Sequence, residues 1–347
     1  MDTQELSERE RRVLEAVIQT YVTTAEPAGS RTLSRHFGLG VSPATIRNTM
    51  SDLEEQGFLF HPHTSAGRVP TNKAYRVYVD SLIHRPRAVV SADQEELRER
   101  IASGGSAIEM ILRRAAQSLG VLTQELGIAL GPRLDDTVLE RLELVRMSTE
   151  RLLMVLRLRG GIMRTLFVEL QGAIAEDAVA EVALVLNERL AGLTLSQIRG
   201  TLPSRLRDST AGPGAGELLN IFIQEGEQIF DVSLPVSEGA IVLGQTSVLA
   251  EQPEFSGAQS MRRLLELTET PHQLAELLRH RGVSGLTITI GTEHADPRLE
   301  DFTVVTAEYR TGTLAGVIGV IGPTRMPYDK VIALVSHTSQ LLTDLLD

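Results

Sequence analysis

In the first eighty residues, hydrophobic positions recur at helical spacing in short runs separated by polar breaks. Ser7-Glu8-Arg9-Glu10 has the form of a capping box. Val13, Leu14, Val17, Ile18 and Tyr21 follow on one helical stripe. Residues 25–29, which include Pro27, end that helix. Ser30 is expected to cap a second, short helix, with Leu33 and Phe37 about one turn apart and Gly38 as its stop. Ser42-Pro43 then sets a capping hydroxyl ahead of a proline at the first helical position. This predicts a third helix over 43–56, ended by Gly57, with Ile46, Met50 and Leu53 on its inner face. Phe58-Leu59-Phe60 reads as a strand, 61–67 as a polar turn and Arg68-Val69-Pro70 as the return. Three helices followed by a small hairpin predict a winged helix-turn-helix over residues 1–83.

Further along, the helical pattern continues through 77–82, and His84-Arg85-Pro86-Arg87 opens a linker, placed with its helix at 84–106. Helices are expected over 93–102 and 108–126, and strands over 127–130, 139–147, 152–158 and 163–170. An amphipathic helix covers 176–190. Leu286, Ile288 and Ile290 alternate with Thr as on a half-buried strand, and Val305, Ala307 and Tyr309 repeat the pattern. Residues 314–321 form another strand, and Pro327 opens a last helix. The order of helix, strands, long middle, strands and helix predicts an α+β chain in which one domain is interrupted by an insertion at 173–272. Gly212-Pro213-Gly214-Ala215-Gly216, inside it, is expected to be a mobile loop. Gly316, Gly319 and Gly322 form neither a dinucleotide fingerprint nor a P-loop, so close backbone packing is expected of them. For Arg325 a structural ion pair is expected ahead of an anion contact.

Charge is unevenly placed. The chain has 347 residues and a net charge of −11. Its first 87 residues hold 11 Lys and Arg against 10 Asp and Glu, while the remainder holds 23 against 35. Between residues 30 and 76 stand six cations (Arg31, Arg35, Arg47, Arg68, Lys73, Arg76) and three acidic residues (Asp52, Glu54, Glu55). A small basic patch on an acidic body still suits DNA, provided the body points away from the phosphates. On the predicted third helix, Ala44, Asn48 and Ser51 point away from the core face, with Thr45 and Arg47 flanking. Its acidic residues lie in the C-terminal half, so short side chains, an amide and a cation gather where the helix dipole is positive. A recognition helix needs that composition to enter the major groove and pair base edges. Arg31, Ser42, Ala44, Thr45, Arg47, Asn48 and Ser51, with His63, Thr64, Ser65 and Arg68 from the hairpin, are the candidate DNA contacts.

Other functions are weighed on the same residues. The three-helix unit also suits a protein-interaction module, and Arg47 also suits a solvated surface. His61 and His63 resemble a metal pair, but Pro62 separates them and neither Cys nor a neighbouring carboxylate completes a site, so no metal is expected. Ser65 does not match a nucleophile elbow. No triad, metal cluster or paired carboxylates can be defended, so no catalytic residues and no cofactor are assigned and the chain is not expected to be an enzyme. With no cysteine, disulfides and thiolate sites are excluded. No apolar run is long enough to span a bilayer and residues 1–12 are polar, so no membrane association and a cytoplasmic location are expected.

Longer stretches carry a resemblance. Val41-Ser42-Pro43-Ala44-Thr45-Ile46-Arg47-Asn48, Leu53-Glu54, Gly57, and the run from His63 to Thr71 (His63-Thr64-Ser65-Ala66-Gly67-Arg68-Val69-Pro70-Thr71) resemble the HrcA family of heat-inducible transcription repressors. So do Tyr75-Arg76, Tyr78-Val79-Asp80, Gln252-Pro253-Glu254-Phe255, the run from Gly319 to Met326, and Tyr328. One departure is Thr49, where the family usually has Asp. It is placed on the flank of the third helix, with little effect on the fold expected.

The resemblance implies a GAF-like α/β domain over 107–172 plus 273–347, interrupted by an inserted dimerisation domain over 173–272. It implies a homodimer that binds an inverted-repeat, double-stranded DNA operator upstream of chaperone operons, and regulation by a GroEL-type chaperonin. The alternative is a winged-helix repressor that senses a metabolite in its GAF-like domain.

Overall fold

The computed structural model describes residues 6–63, 66–84, 91–102, 108–132, 137–159, 163–170, 172, 174–207, 212–230, 241–270, 274–275, 278, 285–312 and 314–346. Their contacts divide the chain into two compact units, one of 1–130, 241–309 and 317–345, the other of 131–240, 310–316 and 346–347.

The first unit opens with α1 (Glu8–Thr24), whose capping box forms as expected: the Ser7 hydroxyl accepts from the Glu10 amide, and Glu10 takes the Ser7 amide. Ala25, in the left-handed region at φ 55°, ends it. Helix α2 (Ser30–His36) starts one residue earlier than expected. Gly29 is its cap, and Ser30 lies buried inside the first turn instead of capping it. Helix α3 (Pro43–Glu55) follows, with Ile46, Met50 and Leu53 buried against α1 and α2. Truncating such a side chain to alanine costs roughly 2–5 kcal/mol. Thr49 is buried too and bonds back to the Thr45 carbonyl at 3.1 Å, so it belongs to the inner face and not to the flank. Strands β1 (Leu59–Phe60) and β2 (Val69–Pro70) pair antiparallel, and α4 (Asn72–His84) leads away from them.

Helices α5 (Ser91–Ala102) and α6 (Ile108–Thr123) pack together, and β3 (Leu126–Leu130) follows. The rest of this unit comes from late in the chain. It comprises β7 (Ile241–Leu243), α10 (Ser247–Ala250), α11 (Ala258–Glu269), β8 (Leu286–Ile290), β9 (Phe302–Thr311), β10 (Leu314–Pro323) and α12 (Tyr328–Leu346), except that residues 310–316 and 346 count with the other unit. They build a five-stranded sheet in the order β7-β3-β10-β9-β8. Its core holds Leu126, Ile128, Leu264, Phe302, Val304 and Ile321. A Cβ on Gly322 would lie 2.0 Å from Glu125 Oε2, so any larger residue there would have to displace that buried carboxyl.

The second unit holds β4 (Leu139–Arg146), β5 (Arg151–Leu158) and β6 (Met163–Glu169) as an antiparallel sheet, with α7 (Glu176–Leu190), α8 (Leu195–Leu206) and α9 (Pro213–Ile229). Alternate strand residues Leu142, Leu152, Met154, Leu156 and Val168 share one core with Val182, Leu186, Ile198 and Phe222 of the helices. Asn187 clasps both the amide and the carbonyl of Leu142.

The units differ from the expected domains at both ends of the insertion. Strands β4 to β6, assigned from sequence to the interrupted domain, pack on the helices of the inserted segment. Residues 241–270, assigned to the insertion, supply an edge strand and two helices to the five-stranded sheet. Neither pairing is local, so periodicity did not carry it. The expected loop at 212–216 is also different. Pro213 opens α9, Gly216 donates back to the Gly212 carbonyl at 2.8 Å, and Ala215 is buried. Proline at a helix start is pre-set for helical φ, and the small residues let α9 approach α7.

Candidate nucleic-acid interface

The start of α3 is set by Ser42, whose hydroxyl accepts from the Thr45 amide at 3.2 Å and lies 3.0 Å from the Thr45 hydroxyl. Burial of Ile46, Thr49, Met50 and Leu53 then fixes which side faces water. Ser42, Ala44, Arg47, Asn48 and Ser51 are all exposed, and Thr45 is half-buried beside them. No acidic residue occupies the first turn. Arg31 is exposed on α2, which packs against α3, and Arg35 and His36 are exposed in its last turn. The structure thus brings seven of the eleven expected contacts onto α2 and α3, with donors and one cation toward the positive end of the α3 dipole.

The hairpin behaves differently. His63 is exposed, and its carbonyl accepts from the Ala66 amide at 2.8 Å. Thr64 and Ser65 lie outside the described residues. Arg68 is only half exposed and its guanidinium is already engaged: Nη2 lies 2.7 Å from Glu54 Oε2, in the acidic half of α3. The Arg68 main chain exchanges hydrogen bonds with Ala28 at 2.9 Å in both directions. It therefore ties the hairpin to α3 and to the chain between α1 and α2, where a freely reaching phosphate contact was expected. The second Glu54 oxygen meets the His61 ring. Burial pushes the Glu54 carboxyl up, but the His61 hydrogen bond and the Arg68 charge outweigh it and hold it below the usual carboxylate range. A carboxylate does stand beside His61, contrary to the sequence reading. Among the described residues, no three His, Asp or Glu side chains gather in a way that could hold a metal.

The role of Glu54 escaped the sequence reading. The available signal was its place in the Leu53-Glu54 motif, since as a charge it is one of three carboxylates on α3. The sequence also left unexplained why Arg76, Glu254 and Arg325 belong to its motifs. In the structure Arg325 pairs with Glu254, as an ion pair was expected for it, and Arg76 pairs with Glu293.

Comparison with known proteins places these features in a family. A family model described as the HrcA protein C terminal domain matches residues 109–332. The heat-inducible transcription repressor HrcA of Chlorobium phaeobacteroides (strain BS1) is 40% identical over 354 residues, covering 98% of both chains. That of Geobacter sulfurreducens is 38% identical over 346 residues, covering 99% of both. A crystal structure described as that of a hypothetical protein aligns over 99% of both chains with a TM-score of 0.66 and 22% identity, and so shares the fold. Among the described residues no helix is long and apolar enough to cross a membrane.

Proposed function

The chain belongs to the HrcA family of heat-inducible transcription repressors, and from that premise we propose that α1–α4 with β1 and β2 form a winged helix-turn-helix that reads an inverted-repeat operator upstream of chaperone operons. The single observation that carries this reading is the exposed strip on α3. Arg47 and Asn48 pair base edges in the major groove, while Ser42, Thr45 and Arg31 contact phosphates or bases. Ala44 and Ser51 are small enough to let the helix backbone approach. His63, Thr64 and Ser65 remain contacts from the wing, and Arg68 serves it by holding the hairpin on Glu54.

The five-stranded sheet with α5, α6 and α10–α12 is read as the GAF-like domain, and the second unit as the inserted domain that joins two copies. In support, Val145 on β4 and Met163 and Phe167 on β6 are exposed on one face of the sheet, with exposed Met147 just past the end of β4. A face that sets these apolar side chains among exposed Arg141, Glu143, Arg151, Arg157 and Glu169 offers both signs of charge to a self-complementary contact about a two-fold axis, which an inverted repeat requires of its reader. A GroEL-type chaperonin is the partner that keeps the repressor competent, and unfolded protein competing for that chaperonin relieves repression. No reaction is assigned.

The test is a gel shift of the full chain on an inverted-repeat chaperone operator. Binding that survives scrambling of either half-site, or no binding at all with and without chaperonin, removes the reading. A small molecule that shifts operator affinity while chaperonin has no effect favours the metabolite-sensing alternative.

A further inference from the structure

Two arginines fasten the N-terminal helices to the sheet within the first unit. Arg325, between β10 and α12, donates from Nη1 to the Val22 carbonyl in the last turns of α1 at 2.7 Å. Its Nε and Nη2 face Glu254, with Nη2 2.9 Å from Oε2. Arg76, on α4, donates from Nη2 to the Ile288 carbonyl of β8 at 2.8 Å and from Nε to Glu293 Oε1 at 2.7 Å. Arg325 thus joins a main-chain carbonyl of α1 to a carboxylate on the sheet side, while Arg76 reaches from α4 to a carbonyl and a carboxylate that both lie on the sheet side. A planar fork does this with fixed direction, which an ammonium does not.

The ground between the two arginines is packed. Tyr75 is buried, with its ring 5.6 Å from that of Tyr328. A Cβ on Gly291 would lie 2.1 Å from Asn72 Nδ2, so the backbone of the sheet side meets the start of α4 directly. Gln252 donates to the Gln124 carbonyl at 2.6 Å and to Glu125 at 3.2 Å, which secures the short segment that presents Glu254. The side chains of Arg325 and Arg76 are 14% and 28% exposed, so removing either partner leaves a largely desolvated charge.

We propose that Arg76 and Arg325 are positioning residues for operator recognition, clamping the helical module to the sheet so that α3 meets DNA in one orientation. This rests on the reading of α3 as the DNA-reading helix and of the repressor as a dimer. Neither arginine touches DNA. Each acts by restricting where the reading helix lies, and so it governs tolerance to half-site spacing instead of base preference.

The experiment uses the full chain in three forms: unaltered, Arg76→Ala with Arg325→Ala, and Glu254→Gln with Glu293→Gln. The glutamine pair keeps side-chain volume and removes only charge, so it answers the question if the alanine pair does not fold. Each form is titrated by fluorescence anisotropy with a single half-site duplex and with inverted repeats whose half-sites are moved apart by up to about half a helical turn. Because the chain contains no cysteine, Thr23→Cys and Arg262→Cys can also carry spin labels for a distance distribution. The unaltered chain is expected to lose about tenfold or more in affinity at half a turn and to show a narrow label distance. The altered forms are expected to keep single half-site affinity within about twofold, to lose most of the spacing preference, and to show a broadened distance. The proposal is overturned if spacing preference and label distance stay as sharp in the altered forms, or if half-site affinity falls by the same factor as affinity for the full operator. Failure of the unaltered chain to bind any half-site overturns the reading of α3 itself, a result distinct from a clamp that merely proves dispensable.

Discussion

Arg68 Nη2 and Glu54 Oε2 lie 2.7 Å apart, joining the returning strand of the hairpin to the C-terminal half of α3. With the His61 ring on the other oxygen, the Glu54 carboxylate is held by the hairpin beside it. The remaining acidic residues of α3, Asp52 and Glu55, are exposed and lie past the strip that carries Arg47 and Asn48.

That strip gives the first prediction. Arg47→Ala and Asn48→Ala should each weaken operator binding by about tenfold to a hundredfold, the loss of a bidentate base contact worth roughly 1–3 kcal/mol. Both side chains are exposed, so the urea midpoint should not move by more than the roughly 0.5 kcal/mol typical of surface changes. Anisotropy and denaturation on the same preparations check both. Normal operator affinity in a folded Arg47→Ala, Asn48→Ala protein would sink the assignment of α3.

Salt dependence separates phosphate contacts from base contacts. Affinity should fall linearly on a log–log plot against salt, with a slope near −0.9 per neutralised phosphate. Arg31→Ala should make that slope shallower by about one while leaving the ratio of specific to scrambled-site binding unchanged. Arg68→Ala should leave the slope as it is and lower the melting temperature instead, since its charge is already committed to Glu54.

Two carboxylates give opposite pH signatures. Glu54 is held below the ordinary value of 4.5: burial opposes this, and the His61 and Arg68 interactions overcome it. Its contribution to stability is therefore complete above pH 4.5 and is lost as pH falls through the lower folded-state value. Glu54→Gln should be less stable than the unaltered protein at pH 7, and the gap should narrow toward pH 3. Glu125 is raised well above 4.5, because burial outweighs the Gln252 hydrogen bond and the Arg325 charge. A raised carboxyl stabilises the fold at low pH, and that benefit drains away as pH climbs from 4.5 toward the folded-state value. Glu125→Gln should consequently show its largest relative gain in stability at alkaline pH and little below pH 4.5. Urea midpoints at a series of pH values decide both signs.

The exposed face of the β4–β6 sheet predicts the assembly. Phe167 is 62% exposed, so Phe167→Glu should leave each chain folded. If this face joins two copies, sedimentation should show a shift from dimer to monomer. Full-operator affinity should drop toward that of a single half-site. A Phe167→Glu protein that remains a dimer would move the interface elsewhere.

The amino-acid pattern alone determined what depends on neighbours a few residues apart. Ser7 with Glu10, Ser42 with Pro43, and the 3.6-residue recurrence of Ile46, Met50 and Leu53 specify α1 and α3, because capping and amphipathicity are local. They also specify which side of α3 meets water, and hence Arg47 and Asn48. Longer motifs named the family. Only the tertiary structure decided which strand joins which sheet, that Arg68 turns onto Glu54, and that Arg76 and Arg325 reach Glu293 and Glu254, more than two hundred and about seventy residues away in sequence. Such pairings depend on where packing brings distant segments together, and a charge or a strand looks the same in sequence whichever partner it finally meets.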